Sequence, residues 1–124
     1  MNEHIKPKIE KFTDLLAWQK GHKLVLMIYQ LSKHFPPDER FGLTSQMRRA
    51  VVSITSNLAE GFGRRSLLDK KRFYDIAMGS VYEIQNQLFI ARDIQFISPL
   101  AFQSAFDLSQ DVRFLTVSLI QSIS

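Results

Sequence analysis

Apolar residues recur along nearly the whole chain at the three- and four-residue spacing that is typical of amphipathic helices. The sequence shows no alternation of the kind expected for strands bounded by hairpin turns. Four long helical segments joined by short connections are indicated. The pattern therefore predicts an all-α protein, folded as an antiparallel up-down-up-down four-helix bundle.

The first predicted helix begins with Asp14 as its N-cap and runs to about Phe35. It cannot continue further because Pro36-Pro37 follows. Residues 1–12 have mixed charge and a proline, and we expect a flexible N-terminal tail there. Residues 13–124 are then a single bundle domain.

The second helix is expected to follow Gly42, with Asp38 or Thr44 as the capping residue. Its end is predicted at Gly61 and Gly63, since glycine is the residue best suited to a left-handed C-terminal cap.

Two serines mark the beginnings of the third and fourth helices. Ser66 is followed three residues later by Asp69, which resembles a capping box, and this helix should run to about Ile94. Ser98 precedes Pro99, which suits the first helical position, and the last helix should extend nearly to the C-terminus.

Each predicted helix carries an apolar stripe for the bundle core, and the first helix carries two. The two stripes of the first helix are Leu15, Trp18, His22, Val25 and Tyr29, and Leu24, Ile28, Leu31 and Phe35. The stripes of the other helices are Met47, Val51, Ile54, Leu58 and Phe62 in the second; Phe73, Ala77, Ser80, Ile84, Leu88 and Ala91 in the third; and Ala101, Ala105, Leu108, Val112, Leu115 and Leu119 in the fourth.

More apolar side chains are present than a four-helix monomer is expected to cover. In the third helix the additional ones are Tyr74, Met78, Val81, Tyr82 and Phe89. Contiguous apolar surface of this kind usually marks an interface, so we predict a homo-oligomer. The alternative is a wide core within a well-packed monomer.

Composition narrows the function classes. The 124 residues include no cysteine, which excludes disulfides and thiolate chemistry and is typical of a reducing compartment. Neither a signal peptide nor an apolar run of membrane-spanning length is visible, so we expect a cytoplasmic protein without membrane contact.

Catalytic and metal-binding motifs are scarce. No phosphate-binding loop, dinucleotide fingerprint or zinc-protease motif occurs, and we expect no enzyme, no cofactor and no metal. The three histidines, His4, His22 and His34, do not have the spacing of a helical metal site. His22 lies on an apolar face, which favours a core or interface histidine over a ligand.

The net charge of +4 is unevenly distributed. Between Arg40 and Arg72 there are 8 basic and 2 acidic residues, a sum of +6, so that the other 91 residues sum to −2. A localised positive field of this kind steers a polyanion to one surface. We expect phosphate contacts from Arg48, Arg49, Arg64, Arg65, Lys70, Lys71 and Arg72.

The position of this charge strengthens the prediction. Lys70, Lys71 and Arg72 lie in the first two turns of the third helix, where the helix dipole disfavours cations, and this conflict indicates an external anion. Two alternatives remain: Arg64 and Arg65 complement the C-terminus of the second helix, or the basic residues only form a solvated surface.

The second helix also carries a polar line beside its apolar stripe. Its members are Gln46, Arg49, Ser53, Asn57, Glu60 and Arg64. Serine and asparagine are poor helix formers, so Ser53 and Asn57 are expected to make hydrogen bonds inside the bundle or between subunits. The alternative is an ordinary solvated face.

Three segments of the sequence resemble one known family. They are WQKGHKLV from Trp18 to Val25, FGLTSQMRRAVVSITSNLAEGFGRRS from Phe41 to Ser66, and the residues Phe73, Ile76, Ala77, Met78, Gly79, Ser80 and Glu83. This pattern, which is most specific from Asn57 to Ser66, resembles the four-helix-bundle family named for the 23S rRNA intervening-sequence protein. The chain departs from the usual family pattern at Gly21, where alanine is commoner, and at Thr55, where proline or alanine is frequent.

The resemblance implies more than the residues do by themselves. The family is similar in fold to the accessory variability protein of diversity-generating retroelements, a basic pentamer that works with nucleic acid. It therefore implies an antiparallel bundle, a pentameric assembly and nucleic-acid binding without catalysis. Family-motif or interface positions are Trp18, His22, Ser53, Asn57, Glu60, Gly61 and Gly63.

The leading hypothesis is a non-enzymatic homo-oligomer that binds nucleic acid, RNA above all, largely independently of its sequence. The competing hypothesis is a protein-interaction scaffold or accessory subunit whose basic residues pair with carboxylates of a partner protein. A nuclease is a distant third hypothesis.

Overall fold

A computed structural model describes residues 8–123 of the chain. This part forms four helices, α1 (Leu16–Ser32), α2 (Leu43–Phe62), α3 (Leu67–Asp93) and α4 (Pro99–Ser122), and two short 3₁₀ helices, Phe12–Asp14 and Pro37–Glu39. No strand occurs within the described range, and the predicted all-α class is confirmed. His4 and most of the predicted N-terminal tail lie outside the described residues.

The helices pack in a closed cycle, in which α1 and α3 each contact both α2 and α4. At every interface, early residues of one helix meet late residues of its neighbour, which is the antiparallel relationship that short connections require. The corresponding pairs are Ser32 and Arg48, Phe62 and Lys70, and Phe89 and Phe102, while Leu16 and Leu119 line one cleft between α1 and α4.

The core lies between the four inner helix faces. In α2, Met47, Val51, Ile54 and Leu58 are fully buried, as predicted from their spacing. In α1 the inward face is Ala17, Gly21, Leu24 and Ile28. The predicted stripe that contains Leu24 and Ile28 therefore supplies the core.

Part of the apolar excess of α3 is absorbed within this one chain. Tyr74 and Val81 are buried in the core, and Met78 is half-buried. Tyr82 and Phe89 stay exposed. The bundle core is therefore wider than the sequence pattern indicated, and less of α3 is left for an interface.

Both predicted serine caps are confirmed. The Ser66 hydroxyl accepts a hydrogen bond from the amide of Asp69, and the Ser98 hydroxyl accepts one from the amide of Ala101, each at 3.0 Å. These bonds satisfy amide groups that have no partner within the helix.

The predicted caps of α1 and α2 are wrong. The Asp14 carboxylate caps the preceding 3₁₀ turn instead of α1, accepting the amides of Glu10 and Lys11 at 3.0 Å, and these bonds lower the pKa of Asp14. At α2 neither predicted side chain caps the helix, because Glu39 reaches forward and accepts the amide of Leu43 at 3.1 Å.

The end of α1 also differs from the prediction. The last α-helical residue is Ser32 rather than Phe35. Three more residues continue in a tighter turn, in which the amides of His34 and Phe35 donate to carbonyls three residues earlier. This turn places Phe35 in the core and leads into Pro36.

The predicted left-handed caps at Gly61 and Gly63 are wrong too. Gly61 lies inside α2, Gly63 has a helical φ of −78°, and no glycine among residues 8–123 has a positive φ. The left-handed residue is Gln95, with φ 66°, after α3. It closes a Schellman motif in which the amide of Phe96 donates to the carbonyl of Ala91 at 2.8 Å.

Candidate nucleic-acid interface

The junction between α2 and α3 holds five of the seven predicted phosphate-contacting residues. Arg64 and Arg65 follow the last turn of α2, and Lys70, Lys71 and Arg72 lie in the first turns of α3. The N-terminus of α3 points its positive dipole end into the same region. We call these five residues the junction cluster.

Arg64 is held in place by two neighbours. Its guanidinium donates to Glu60 at 3.0 Å and lies over the Phe73 ring, 4.5 Å from the centroid. The side chain is nevertheless 45% exposed, so its remaining N–H groups face solvent. Glu60 of the predicted polar line thus orients Arg64 through an ordinary helical ion pair.

Lys70 has a structural role that sequence spacing did not reveal. Its ammonium donates to the carbonyl of Phe62 at 2.6 Å and to that of Gly61 at 3.4 Å. These carbonyls belong to the last turn of α2, whose negative dipole end attracts a cation. Lys70 therefore caps α2 from the neighbouring helix.

Lys71 and Arg72 also have partners within the chain. Lys71 pairs with Asp75 at 3.4 Å and Arg72 with Asp69 at 3.6 Å. Exposed pairs of this kind are weak, and the two cationic side chains are 50% and 69% exposed. These pairs offset the unfavourable helix dipole, so the dipole conflict no longer requires an external anion.

Arg65 is the exception. It is exposed and forms no hydrogen bond or ion pair with any residue between 8 and 123. Counting Glu60, Asp69 and Asp75 against the five cations leaves the junction at 5 − 3 = +2. The field is positive but milder than the sequence segment indicated.

The other two predicted residues lie apart from the junction. Arg49 precedes Phe62 by 13 positions in α2, which at ~1.5 Å per residue is about 20 Å. Arg48 points toward α1, donating to the Ser32 hydroxyl at 2.9 Å and stacking 4.7 Å from the Tyr29 ring centroid. The seven predicted residues thus form two groups rather than one surface.

The polar line of α2 does make hydrogen bonds inside the bundle, as its residue types indicated. The Asn57 amide donates to the backbone carbonyl and hydroxyl of Ser53 at 2.8 and 3.0 Å, and the Ser80 hydroxyl donates to the Ser53 hydroxyl at 2.8 Å. Ser53 therefore connects α2 to α3, and Asn57 holds the Ser53 hydroxyl from within α2.

A polar cleft of about 420 Å³ opens beside this network, between α2 and α3. Its lining residues are Gln46, Arg49, Ala50, Ser53 and Glu83. The side chain of Gln87 is 4% exposed, donates weakly to Glu83 at 3.4 Å, and keeps its buried carbonyl oxygen without a partner in the described part of the chain. In the sequence, Glu83 belongs to the family pattern without a predicted role and Gln87 is not singled out, although their spacing from Ser80 places all three on one side of α3.

Trp18 and His22 form an aromatic pair on α1, in which Trp18 is half-buried against the core and His22 is exposed. Their rings stack 4.8 Å apart with an interplanar angle of 11°, and Phe12 meets Trp18 edge-on at 5.5 Å. The core alternative for His22 is wrong, because its ring lies outside the inward face of α1. The interface alternative stays a prediction.

Gly61 has a packing role instead of a capping one. A Cβ atom at this position would lie 2.6 Å from Cε1 of Tyr74 and 3.1 Å from Cβ of Phe73. Glycine therefore lets the beginning of α3 approach the end of α2. At Gly63 the nearest heavy atom would be 3.7 Å away, so that position is not crowded.

Across residues 8–123, no group of three or more histidine, cysteine or acidic side chains is arranged to hold a metal ion. Within the same range, every helix is too short or too polar to cross a bilayer.

The fold matches a solved structure. A crystal structure from Bacteroides thetaiotaomicron, of a protein with unknown function from the S23 ribosomal protein family, superposes with a TM-score of 0.79. It is 22% identical, and the match covers 85% of this chain and 98% of that one. At this identity the likeness shows the fold alone. No curated protein matches the sequence.

A family model gives the stronger result. The model for the 23S rRNA-intervening sequence protein matches residues 13–118, which include all four helices except the last turn of α4. The match extends beyond the quoted motifs into the fourth helix. The chain therefore belongs to the 23S rRNA-intervening sequence protein family.

Proposed function

We propose that this protein is a non-enzymatic homo-oligomer that binds nucleic acid, above all RNA, through the junction cluster. The observation that carries the proposal is Arg65, an exposed guanidinium without a partner among the described residues, beside the N-terminus of α3. Arg64, Lys71 and Arg72 add exposed donors around it. Arginine and backbone amides at a helix N-terminus are suited to phosphate oxygens and carry no base specificity.

The surroundings of the junction favour single-stranded RNA over a duplex. A shallow cleft of about 360 Å³ next to Arg64 is lined by Phe12, Ala59, Glu60 and Gly63. Phe12 is 38% exposed there and offers a ring on which an unpaired base can stack. Phosphate contacts from the cluster and stacking on Phe12 would act on one strand together.

Self-association is the second part of the proposal, and the family resemblance suggests a pentamer. Its support is the set of large apolar side chains that remain exposed on the bundle, including Leu16, Leu68, Ile76, Leu100 and Phe114. An assembly would also bring several junction clusters together, which raises affinity for a long polyanion. We propose the cytoplasm as the compartment.

A protein-interaction scaffold is the second candidate. It is favoured by the carboxylates that already accompany Lys71 and Arg72, since acidic side chains of a partner protein can replace them. Glu60 beside Arg64 has the same chemistry. This candidate predicts binding to an acidic protein surface and weak, non-saturable binding to RNA.

Fluorescence anisotropy with a labelled single-stranded RNA of about 20 nucleotides distinguishes the two candidates. With four exposed cations in contact, log K should fall against log salt with a slope of about −3. The RNA should remain intact after incubation, with and without Mg²⁺. A salt-insensitive titration would overturn the nucleic-acid proposal, and cleavage of the RNA by the purified protein would overturn its non-enzymatic part.

A further inference from the structure

We infer that the α2–α3 cleft is where a second copy of this chain docks, with Arg49 of one copy pairing with Glu83 of the other. This inference rests on the homo-oligomer part of the proposed function and names one contact surface. The contact is reciprocal and joins copies in pairs, so the ring contact of a pentamer is a separate, head-to-tail one. The surface consists of Arg49 on α2 and Ile76, Gly79, Glu83 and Ile90 on α3. We call it the cleft face.

The first observation is that two opposite charges in the cleft form no ion pair with each other. Arg49 and Glu83 line the same cleft, yet they form no ion pair within 4.0 Å, and Arg49 has no hydrogen-bond partner among residues 8–123. Glu83 accepts only the long 3.4 Å bond from Gln87 in that range. Each charge is therefore available to a group from outside the chain.

The second observation is the apolar character of the surrounding face. Ile76, Gly79, Glu83 and Ile90 follow one another at spacings of three, four and seven residues, which places them on one side of α3. Ile76 is 47% exposed and Ile90 is 41% exposed. An apolar surface with few charged groups is typical of a protein–protein contact.

The third observation is Gly79 in the middle of α3. A Cβ atom there would meet no atom within 4 Å, so packing inside the chain does not require glycine. Glycine in a helix interior costs about 1 kcal/mol relative to alanine. A close approach by another helix is the usual reason to keep such a glycine, and Gly79 lies between Ile76 and Glu83 on the cleft face.

The charges of the cleft face indicate which molecule binds there. Arg49 and Glu83 contribute one positive and one negative charge, so the face is complementary to itself. A nucleic acid would meet the Glu83 carboxylate, which repels phosphates. A second copy brings its own Arg49 to Glu83 and its own Glu83 to Arg49. This assigns Arg49 to self-association rather than to the nucleic-acid interface.

Two tryptophan variants test the surface by sedimentation velocity over a concentration series. Gly79 is exposed and a Cβ atom there would meet no atom within 4 Å, so the Gly79→Trp monomer should fold with an unchanged helical spectrum and unfolding midpoint. It should weaken association by about 100-fold or more, because the ring occupies the place of the partner. Ser104→Trp, at an exposed position of α4, is the matched control and should associate like the wild type.

A charge exchange tests the pairing itself. Arg49→Glu alone and Glu83→Arg alone should each weaken association, since like charges then meet at the contact. An equimolar mixture of the two variants should restore it, because every contact between unlike chains again joins opposite charges. Restoration in the mixture cannot come from a pair within one chain.

The outcomes separate the two proposals. If the wild type associates and Gly79→Trp associates equally well, the cleft face is not the contact and self-association stands. If the wild type is monomeric throughout, the homo-oligomer proposal and this inference both fail. RNA affinity of Gly79→Trp, measured separately, reports on the junction cluster alone.

Discussion

Gly21 of α1 and Thr55 of α2 face each other across the core, so that a Cβ atom on Gly21 would lie 3.1 Å from Cγ2 of Thr55. These are the two positions at which the sequence departs from the usual family pattern. Alanine at position 21, which the resemblance leads us to expect, would crowd the threonine methyl group. The glycine at position 21 therefore makes room for the threonine at position 55.

This contact predicts a measurable coupling between the two sites. Gly21→Ala alone should change stability little, because a helix-propensity gain of about 1 kcal/mol is offset by crowding. In the Thr55→Ala background the same change should stabilise the fold by about 1 kcal/mol. Urea unfolding of the four proteins measures the coupling. Equal effects of Gly21→Ala in both backgrounds would contradict the crowding explanation.

Gly61 should be far less tolerant than its neighbour Gly63. Gly61→Ala forces a Cβ atom to within 2.6 Å of the Tyr74 ring, and we expect a loss of about 1–3 kcal/mol in unfolding free energy. Gly63→Ala, with no heavy atom closer than 3.7 Å, is the control and should stay within about 0.5 kcal/mol. Similar losses for both would show that helix packing does not select glycine at position 61.

Tyr74 should make stability fall at alkaline pH. Burial raises the pKa of its phenol in the folded state above the value in the unfolded chain. The resulting stabilisation is fully present below the unfolded pKa of ~10 and is lost as the pH rises through the folded pKa. Urea unfolding between pH 8 and 11 should show a smaller decline for Tyr74→Phe than for the wild type. Parallel pH profiles would argue against a shifted phenol.

Substitutions of Lys70 and Arg65 should differ in their effect on stability. Lys70→Met keeps the aliphatic stem but removes the donor to the Phe62 and Gly61 carbonyls, and we expect a destabilisation of about 1 kcal/mol. Arg65→Met, which removes an unpartnered exposed charge, should leave stability within about 0.5 kcal/mol. Thermal unfolding of both variants checks this. A neutral Lys70→Met would mean that the lysine does not cap α2.

Local signals in the sequence were sufficient for much of the fold. The caps at Ser66 and Ser98 and the core stripe from Met47 to Leu58 depend on neighbours within a few residues, and all are confirmed. The caps of α1 and α2 are wrong although their partners lie within four residues. The other errors concern contacts across longer distances. Gly61 is required by a tyrosine 13 positions away, which no local pattern shows.

The candidate site also has features that the sequence shows and features that depend on tertiary packing. The concentration of basic residues at the α2–α3 junction could be read from the chain, because those residues are close in sequence. Their partners could not: Lys70 is oriented by carbonyls eight and nine residues back, and Arg49 faces a carboxylate on another helix. Tertiary packing therefore decides which cations stay available for a phosphate.

RNA affinity as a function of salt, measured for two doubly substituted proteins beside the wild type, tests the proposed function most directly. Arg64→Ala/Arg65→Ala removes two junction cations, and Lys23→Ala/Lys33→Ala removes two exposed cations of α1 and its C-terminus. Both reduce the formal net charge from +4 to +2. The junction variant should bind at least about 10-fold more weakly, with a salt slope smaller by about 1 to 2, and the control should stay within about 3-fold of the wild type. Equal affinities for the two variants would contradict a phosphate-binding junction.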